Sequence, residues 1–202
     1  MQDSYTDLRV IRTKESIQEA LVELMMEKGF ETLTVKDITT KAKINRGTFY
    51  AHYEDKYDLM TKCQEEIIIG MVDILKQNVP VDTEEIETNS LNIKSFAHIV
   101  LMFEFLNENR RFLKALLGSN GDLSFQTKLK DFMWETLFEN ELVKQENLLV
   151  PGQYLSSYIS SAFIGVVQQW LDNDCKETPQ EMARIVSTIT FNGPYYTAGL
   201  KK

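Results

Sequence analysis

Basic and polar side chains that could contact phosphate are concentrated in one short stretch of the 202-residue chain. The segment 36–53 carries four cations against one acid, namely Lys36, Lys41, Lys43 and Arg46 against Asp37. Its local charge of +3 contrasts with the formal net charge of −8 of the whole chain. A local cluster of positive charge on a protein of negative net charge is typical of a surface that contacts nucleic acid. The segment predicts a small phosphate-binding surface, and the overall charge excludes a protein that coats nucleic acid along its whole surface.

Two short helices joined by a tight turn are predicted to position these side chains. Residues 35–42 place Val35, Ile38 and Ala42 on one inner face, the turn covers 43–45, and residues 46–52 form the second helix. An earlier amphipathic stripe predicts the supporting helix, through Ile17, Ala20, Leu21, Leu24 and Met25. Together these three segments predict a helix-turn-helix with a closed core.

Helix starts and stops agree with this arrangement. Gly29 predicts the end of the first helix, and Thr34 with Asp37 has the spacing of a capping box. Asn45 is expected to cap the next short helix, and Asp55 to cap a long helix that runs to about residue 78.

The outward side of the second short helix offers Arg46, Thr48, Tyr50 and His52. Arg46 is the best candidate for reading a base, because its guanidinium can bond guanine at two points in the major groove. Gly47 removes a side chain near the helix start, where a DNA backbone could approach closely. A packing role for Tyr50 and a plain surface role for His52 remain open alternatives.

The remaining chain predicts more helices and no sheet. Residues 79–92 contain Pro80 and four acids and predict a loose connection between a small first domain and a larger second one. Helices are expected at about 93–107, 109–117, 122–145, 152–173 and 179–197. Thr178, Pro179 and Glu181 form a strong start signal for the last of them.

One set of residues resembles the N-terminal DNA-binding domain of TetR-type transcriptional regulators. The set is Val35-x-Asp37-Ile38, Ala42-x-Ile44, Arg46-Gly47-Thr48-Phe49-Tyr50, His52-Tyr53, Lys56 and Leu59. The resemblance covers about 50 residues. It implies an all-α fold, with a three-helix DNA-binding domain at 1–55 and a larger helical ligand-binding and dimerisation domain at 56–202. The C-terminal part is weakly similar to DhaS-type members of the family.

The resemblance also implies roles for single residues. Thr34 and Lys36 match phosphate-holding positions, and Lys56 matches a lysine that usually touches phosphate. The matching recognition-helix contacts to bases and backbone are Arg46, Thr48, Tyr50 and His52. Two positions depart from the family pattern, since Thr39 stands where alanine is common and Tyr53 where phenylalanine is common.

The second domain is rich in aromatic residues and methionine, and most of these are expected in the core. Ligand pockets are mostly apolar with a few polar groups. His98, Trp134 and Tyr158 supply such groups on otherwise apolar helices, and Met102 lies near His98 in sequence. These four residues predict a pocket for an apolar or aromatic small molecule, with a purely structural role as the alternative for each.

Two helices near the C-terminus predict self-association. Residues 152–173 mix small residues with aromatic ones, and Gly165 lies in the middle of that helix, where glycine is costly unless contact is close. Paired with 179–197, this helix could form a four-helix interface of a homodimer. The alternative is that both helices only complete the core of one chain.

The expected function is a ligand-responsive transcriptional regulator, a repressor that a small molecule releases from a near-palindromic double-stranded DNA operator. An activator of the same fold, a helical adaptor and an enzyme remain alternatives, although the chain contains no P-loop, GxGxxG, HExxH or GxSxG motif.

The chain has two distant cysteines, Cys63 and Cys175, and two histidines. This small set predicts no metal site and no cofactor, and both thiols are expected to be in the ordinary reduced state. The acidic, polar N-terminal residues predict no signal peptide, and the longest apolar runs are too short to span a bilayer, so a cytosolic protein is expected.

Overall fold

The computed structural model describes residues 3–77, 90–118, 123–139, 146 and 148–199. Every regular element within these ranges is helical, which confirms the all-α prediction. The helices are α1 (Asp3–Lys28), α2 (Val35–Lys41), α3 (Arg46–Tyr50), α4 (Lys56–Lys76), α5 (Ser90–Glu108), α6 (Arg110–Leu117), α7 (Leu123–Trp134), α8 (Gly152–Asp172), α9 (Pro179–Asn192) and α10 (Pro194–Thr197). A π-helical turn, Glu135–Glu139, directly follows α7. No helix in the described ranges has both the length and the apolar character needed to span a bilayer.

The chain forms two compact units, and the first of their boundaries in sequence falls within α4. The first unit holds the described residues of Met1–Ile67 and Ala115–Asp122. The second holds those of Ile68–Lys114 and Leu123–Lys202.

The core of the first unit forms where the apolar stripe of α1 meets α2, α3 and the start of α4. Ile17, Leu21, Ile38, Phe49 and Leu59 are all completely buried. Burial of each such side chain contributes about 1.5–3 kcal/mol. A hydrogen bond of 3.1 Å from the Ser16 hydroxyl to the Ala42 carbonyl joins α1 to the end of α2. The short α2 and α3 are thus held by tertiary packing, which helices of five to seven residues require.

Three of the four predicted end signals in this unit are confirmed. Gly29 adopts a φ of +76° and donates its N–H to the Met25 carbonyl, which ends α1. Thr34 forms both bonds of a capping box with Asp37. Asp55 Oδ1 accepts the backbone N–H groups of residues 57 and 58. Asn45 does occupy the position before α3, but its side chain makes no capping bond, and only its carbonyl accepts, from the N–H groups of residues 48 and 49.

The second unit packs α5 against α9 and α7 against α8. Trp170 meets Phe103 edge to face at 5.3 Å, and its indole N–H donates to the Glu177 carbonyl at 3.0 Å. Both rings are buried. Gly70 permits close approach of α5 to α4, because a Cβ at that position would lie 2.6 Å from Cε2 of Phe105.

Several predicted boundaries were wrong. Residues 179–197 do not form one helix, because Gly193 has a φ of +81° and Pro194 starts the separate α10. The helix predicted at 122–145 ends at Trp134 and continues only as the π-helical turn, while residues 140–145 lie outside the described ranges. The second short helix ends at Tyr50 and not at residue 52. Residues 79–89 of the predicted loose connection also lie outside the described ranges, whereas 90–92 belong to α5.

Candidate DNA-binding interface

The turn between α2 and α3 has a tight backbone. Lys43 adopts a φ of +56°, a region that residues other than glycine rarely occupy. The next N–H, that of Ile44, donates to the Thr39 carbonyl at 3.0 Å. This bond closes the turn and sets the direction in which α3 leaves it.

The α3 helix separates a buried side from an exposed side within one turn. Phe49 is fully buried, whereas the neighbouring Tyr50 is 49% exposed. Arg46 lies one turn before Tyr50 and is also exposed. Its Nη2 donates to the Tyr50 hydroxyl at 2.9 Å, and its guanidinium carbon lies 5.7 Å from the Tyr50 ring centroid. The two side chains therefore form one ordered pair on the surface of the unit.

The other predicted residues of this segment lie within or just beyond α3. Gly47 is exposed, and no atom lies within 4 Å of the place where its Cβ would be. Thr48 is half-buried. His52, just beyond the helix, is half-buried with its ring 6.3 Å from that of Tyr53. Tyr53 is buried, and this burial raises the pKa of its hydroxyl well above the ordinary value. The structure thus brings Arg46, Gly47, Thr48, Tyr50 and His52 together in one short segment.

The start of α2 carries the predicted phosphate contacts Thr34 and Lys36, and both are exposed. The Thr34 hydroxyl donates to Asp37 Oδ2 at 2.7 Å, so its proton is committed to the cap. The hydrogen bonds from Thr34, and next to them Lys28, lower the pKa of the Asp37 carboxyl from 3.8 to about 2. Thr34 therefore serves first to fix the start of α2, and its contact with phosphate stays a prediction.

Lys56, at the first position of α4, is held by the loop between α1 and α2. Its ammonium donates to the carbonyls of Phe30 and Glu31 at 3.2 and 2.9 Å. It also lies over two aromatic rings, 4.8 Å from the centroid of Phe30 and 5.0 Å from that of Tyr57. An ammonium has three donors, and this geometry commits two of them to the protein. The sequence did not indicate this anchoring role.

A basic groove near the turn was also missed. It lies between α1 and the turn and has a volume of about 490 Å³. Its walls include Arg9 and Thr13 of α1, together with Lys43 and Thr48. Arg9 and Thr13 continue the buried stripe through Ile17 at intervals of four residues, so helical periodicity could have placed them on this side of α1.

The four residues predicted to bind a ligand occupy different environments in the second unit. Met102 is buried, and Trp134 packs against Phe138 with ring centroids 4.6 Å apart. His98 Nε2 lies 3.1 Å from the Gln77 carbonyl. Tyr158 is 60% exposed, so it faces solvent in the single chain. The pocket stays a prediction.

The predicted dimer helices carry large apolar and aromatic side chains that are exposed in the single chain. Tyr154 and Tyr158 on α8, and Ile185 and Phe191 on α9, are all at least 41% exposed. Gly165 lies on α8 with no atom within 4 Å of its Cβ position. Close packing within the single chain therefore does not explain the glycine at this position.

Both cysteines are free thiols. Cys63 is buried in the first unit, and this burial raises the pKa of its thiol to about 12. Cys175 is half-buried in the second unit, and burial again raises its pKa. Neither thiol is activated for chemistry, because the thiolate is the reactive form.

The three-helix unit with its turn, followed by a larger helical unit, defines a helix-turn-helix protein with a helical C-terminal domain. The profile for bacterial regulatory proteins of the tetR family matches residues 17–63, and that for a transcriptional regulator C-terminal region of the same family matches residues 94–192. The chain belongs to the TetR family.

Curated relatives share this organisation over part of their length. The chain is 25% identical over 184 residues to the uncharacterized HTH-type transcriptional regulator YxbF of Bacillus subtilis, a match that covers 91% of this chain and 46% of YxbF. For YerO of the same organism the identity is 24%, with 79% of this chain and 55% of YerO covered. The chain thus spans about half the length of these two relatives. The negative regulator IcaR of the icaADBC biofilm operon of Staphylococcus epidermidis is 23% identical, with 65% of this chain and 68% of IcaR covered.

Solved structures confirm the fold. A TetR transcriptional regulator from Streptococcus agalactiae superposes with a TM-score of 0.61 at 21% identity, covering 93% of this chain and 98% of that one. FadR of Bacillus subtilis, solved with stearoyl-CoA, gives 0.58 at 19% identity and covers 89% and 98%. The dihydroxyacetone kinase operon activator DhaS gives 0.56 at 18% identity and covers 89% and 94%.

Proposed function

We propose that this protein is a ligand-responsive transcriptional regulator that binds a near-palindromic DNA operator and represses transcription from it. The observation that carries the proposal is the exposed Arg46–Tyr50 pair on α3, within a segment of charge +3 on a chain of charge −8. Helix-turn-helix proteins insert the second helix of the motif into the major groove. Membership of the TetR family supports this assignment.

The contacts divide by chemistry. Arg46 is the residue proposed to read a base, because a guanidinium can bond guanine O6 and N7 together. Lys36, Thr48, Tyr50 and His52 are proposed as phosphate or base-edge contacts. Gly47 lets the DNA backbone approach α3, since the space above it is open. Thr34 and Lys56 complete the proposed set, each with the structural role described above.

A homodimer is proposed to present two such surfaces to one operator. Tyr154 and Tyr158 on α8 and Ile185 and Phe191 on α9 are large side chains that are exposed in the single chain, and exposed side chains of this kind are what a twofold interface covers. Two recognition helices then read half-sites about one helical turn apart, roughly 34–36 Å.

Repression is proposed as the sign of regulation, with release by an apolar small molecule bound in the second domain. The name of IcaR as a negative regulator supports repression, and the bound stearoyl-CoA of FadR supports an effector with a long apolar chain. A ligand changes DNA affinity only if it binds two conformations unequally. The helix α4 is the proposed switching element, because the chain passes along it from the first unit into the second.

A gel shift of the full chain against fragmented genomic DNA tests the proposal. The proposal predicts discrete retained fragments that share a sequence motif, and a fatty acyl-CoA series then screens for release. Absence of any retained fragment at low salt would contradict DNA binding. Retention without a shared motif would contradict operator recognition.

A further inference from the structure

We propose that the groove between α1 and the turn is an additional phosphate-binding site that holds a phosphodiester of the DNA backbone. This inference rests on the proposed DNA-binding function and extends the interface from α2 and α3 to α1. Three residues carry it, namely Arg9, Lys43 and Asn45. The sequence placed Lys43 in a basic segment but assigned no DNA contact to Arg9 or Asn45.

The lining of the groove has the chemistry of an anion site. It contains two cations, five neutral polar residues and one apolar residue, and no acid: Arg9, Thr13, Thr39, Thr40, Lys43, Ile44, Asn45 and Thr48. A phosphodiester carries one negative charge and accepts hydrogen bonds, so guanidinium, ammonium, amide and hydroxyl groups all suit it. The volume of about 490 Å³ and the open form admit a backbone phosphate with its adjoining sugars.

The donors of the groove are largely uncommitted. Within the described part of the chain, the side chains of Arg9, Lys43 and Asn45 donate to no protein acceptor. Asn45 is free for this purpose because its side chain does not cap α3. By contrast, the hydroxyls of Thr13 and Thr39 donate to the carbonyls of residues 9 and 36 and serve as walls.

The backbone of Lys43 supports a functional use of its side chain. A residue other than glycine at a φ of +56° carries conformational strain, which glycine at the same position would relieve. The lysine therefore weakens the turn as a structural element while it brings a cation to the groove.

The position of the groove favours DNA over a free anion. Asn45 and Thr48 line the groove and also belong to the first turn of α3, whose outer face carries the Arg46–Tyr50 pair. A duplex backbone beside α3 and the groove would thus meet one continuous surface. A free phosphate is the competing occupant with the same chemistry.

The test measures binding of the full chain to a fluorescein-labelled duplex of about 30 base pairs by anisotropy, over a series of salt concentrations. Each lost phosphate contact makes the slope of log affinity against log salt shallower by about one. Arg9→Ala and Lys43→Gly are each expected to show this change. Lys14→Ala is the matched control, because five residues place Lys14 about 140° around α1 from Arg9, and its slope should stay that of the wild type.

Thermal unfolding of the same variants separates a lost contact from a damaged fold. Lys43→Gly is expected to unfold no earlier than the wild type while it binds the duplex more weakly. If the wild type binds the duplex but Arg9→Ala and Lys43→Gly leave the salt slope unchanged, the groove is not a phosphate site. That result would overturn the inference and leave the proposed DNA-binding function in place. A wild type that binds no duplex would overturn the proposed function, and the inference with it.

Inorganic phosphate, added at constant ionic strength, distinguishes the two sources of the anion. Duplex affinity that stays unchanged up to millimolar phosphate supports the DNA backbone as the occupant. Displacement of the duplex from the wild type, but not from Arg9→Ala, would assign the groove to a free phosphate and overturn the inference.

Discussion

The Arg46 guanidinium donates to the Tyr50 hydroxyl at 2.9 Å across one turn of α3. The ring of Tyr50 also lies beneath the cation, 5.7 Å from ring centroid to guanidinium carbon. This contact restricts the rotamers of a long side chain before DNA arrives. Less conformational entropy is then lost on binding, because the guanidinium is already ordered. Tyr50 thus has a positioning role beside any phosphate contact of its own.

Arg46→Ala is expected to weaken specific DNA binding by about 1–3 kcal/mol and to relax the preference at one base position. Tyr50→Phe keeps the ring but removes the acceptor, so it should weaken specific binding less. Anisotropy titrations against selected and scrambled duplexes measure both effects. The double variant should lose less affinity than the sum of the single changes, because the two residues act as a pair. If Arg46→Ala lowered the affinity for selected and scrambled duplexes equally, Arg46 would contact phosphate and would not read a base.

Lys56→Ala is expected to lower the free energy of unfolding by about 1–2 kcal/mol, since hydrogen bonds from a charged group to two loop carbonyls are lost at a half-buried site. Chemical denaturation checks this value. Loss of the predicted phosphate contact in Lys56→Ala should additionally make the salt slope of duplex binding shallower by about one. Lys56→Met keeps an apolar stem over the two rings and is the matched control for packing. A lower stability with an unchanged salt slope would remove Lys56 from the DNA contacts and leave it as the anchor of the loop.

Thr34→Ala is expected to raise the pKa of Asp37 from about 2 toward 3.8, because hydrogen bonds from Thr34 are the main cause of the low value. A carboxyl with a lowered pKa stabilises the fold above its ordinary pKa and loses that contribution as the pH falls from about 4 to 2. The stability gap between wild type and Thr34→Ala should therefore be constant near neutral pH and narrow below about pH 4. Carboxyl NMR titration and denaturation at several pH values measure the two effects. Thr32 is an exposed neighbour outside the cap, so Thr32→Ala is the control and should leave the pKa of Asp37 unchanged.

Gly165→Leu is expected to raise the dissociation constant of the dimer about tenfold to a hundredfold, because extra methylenes in a packed interface cost about 1–3 kcal/mol. The space around Gly165 is open in the single chain, so the variant should fold normally. Gly165→Ala is the smaller matched change and should have little effect. Sedimentation velocity across micromolar concentrations measures the dimer. A wild type that stays monomeric there, or a Leu variant with unaltered dimerisation, would refute this interface.

Local patterns in the sequence predicted most of the first unit. Thr34 and Asp37 form a cap through bonds three residues apart, and the stripe through Ile17 and Leu21 needs only helical periodicity. The signal at Gly193–Pro194 was equally local and was overlooked, although proline and its neighbour restrict helix continuation.

Interactions between distant residues could not be predicted in this way. Lys56 bonds carbonyls 25 and 26 residues away, so its anchoring role depends on how the loop after α1 folds back. The groove combines Arg9 with Lys43, and Lys43 reaches it only through an unusual backbone conformation. The exposure of Tyr158, predicted to line a pocket, likewise follows from the packing of whole helices.

Selection from a random duplex pool with the full chain tests the central claim most directly. The account predicts enrichment of one near-palindromic motif with half-site centres about 10–10.5 base pairs, or a multiple of that spacing, apart. The same selection with Arg46→Ala should lose preference at one position in each half-site. A wild-type selection that enriches no sequence, or a single unpaired half-site at every protein concentration, would contradict recognition of DNA by a symmetric pair of α3 helices.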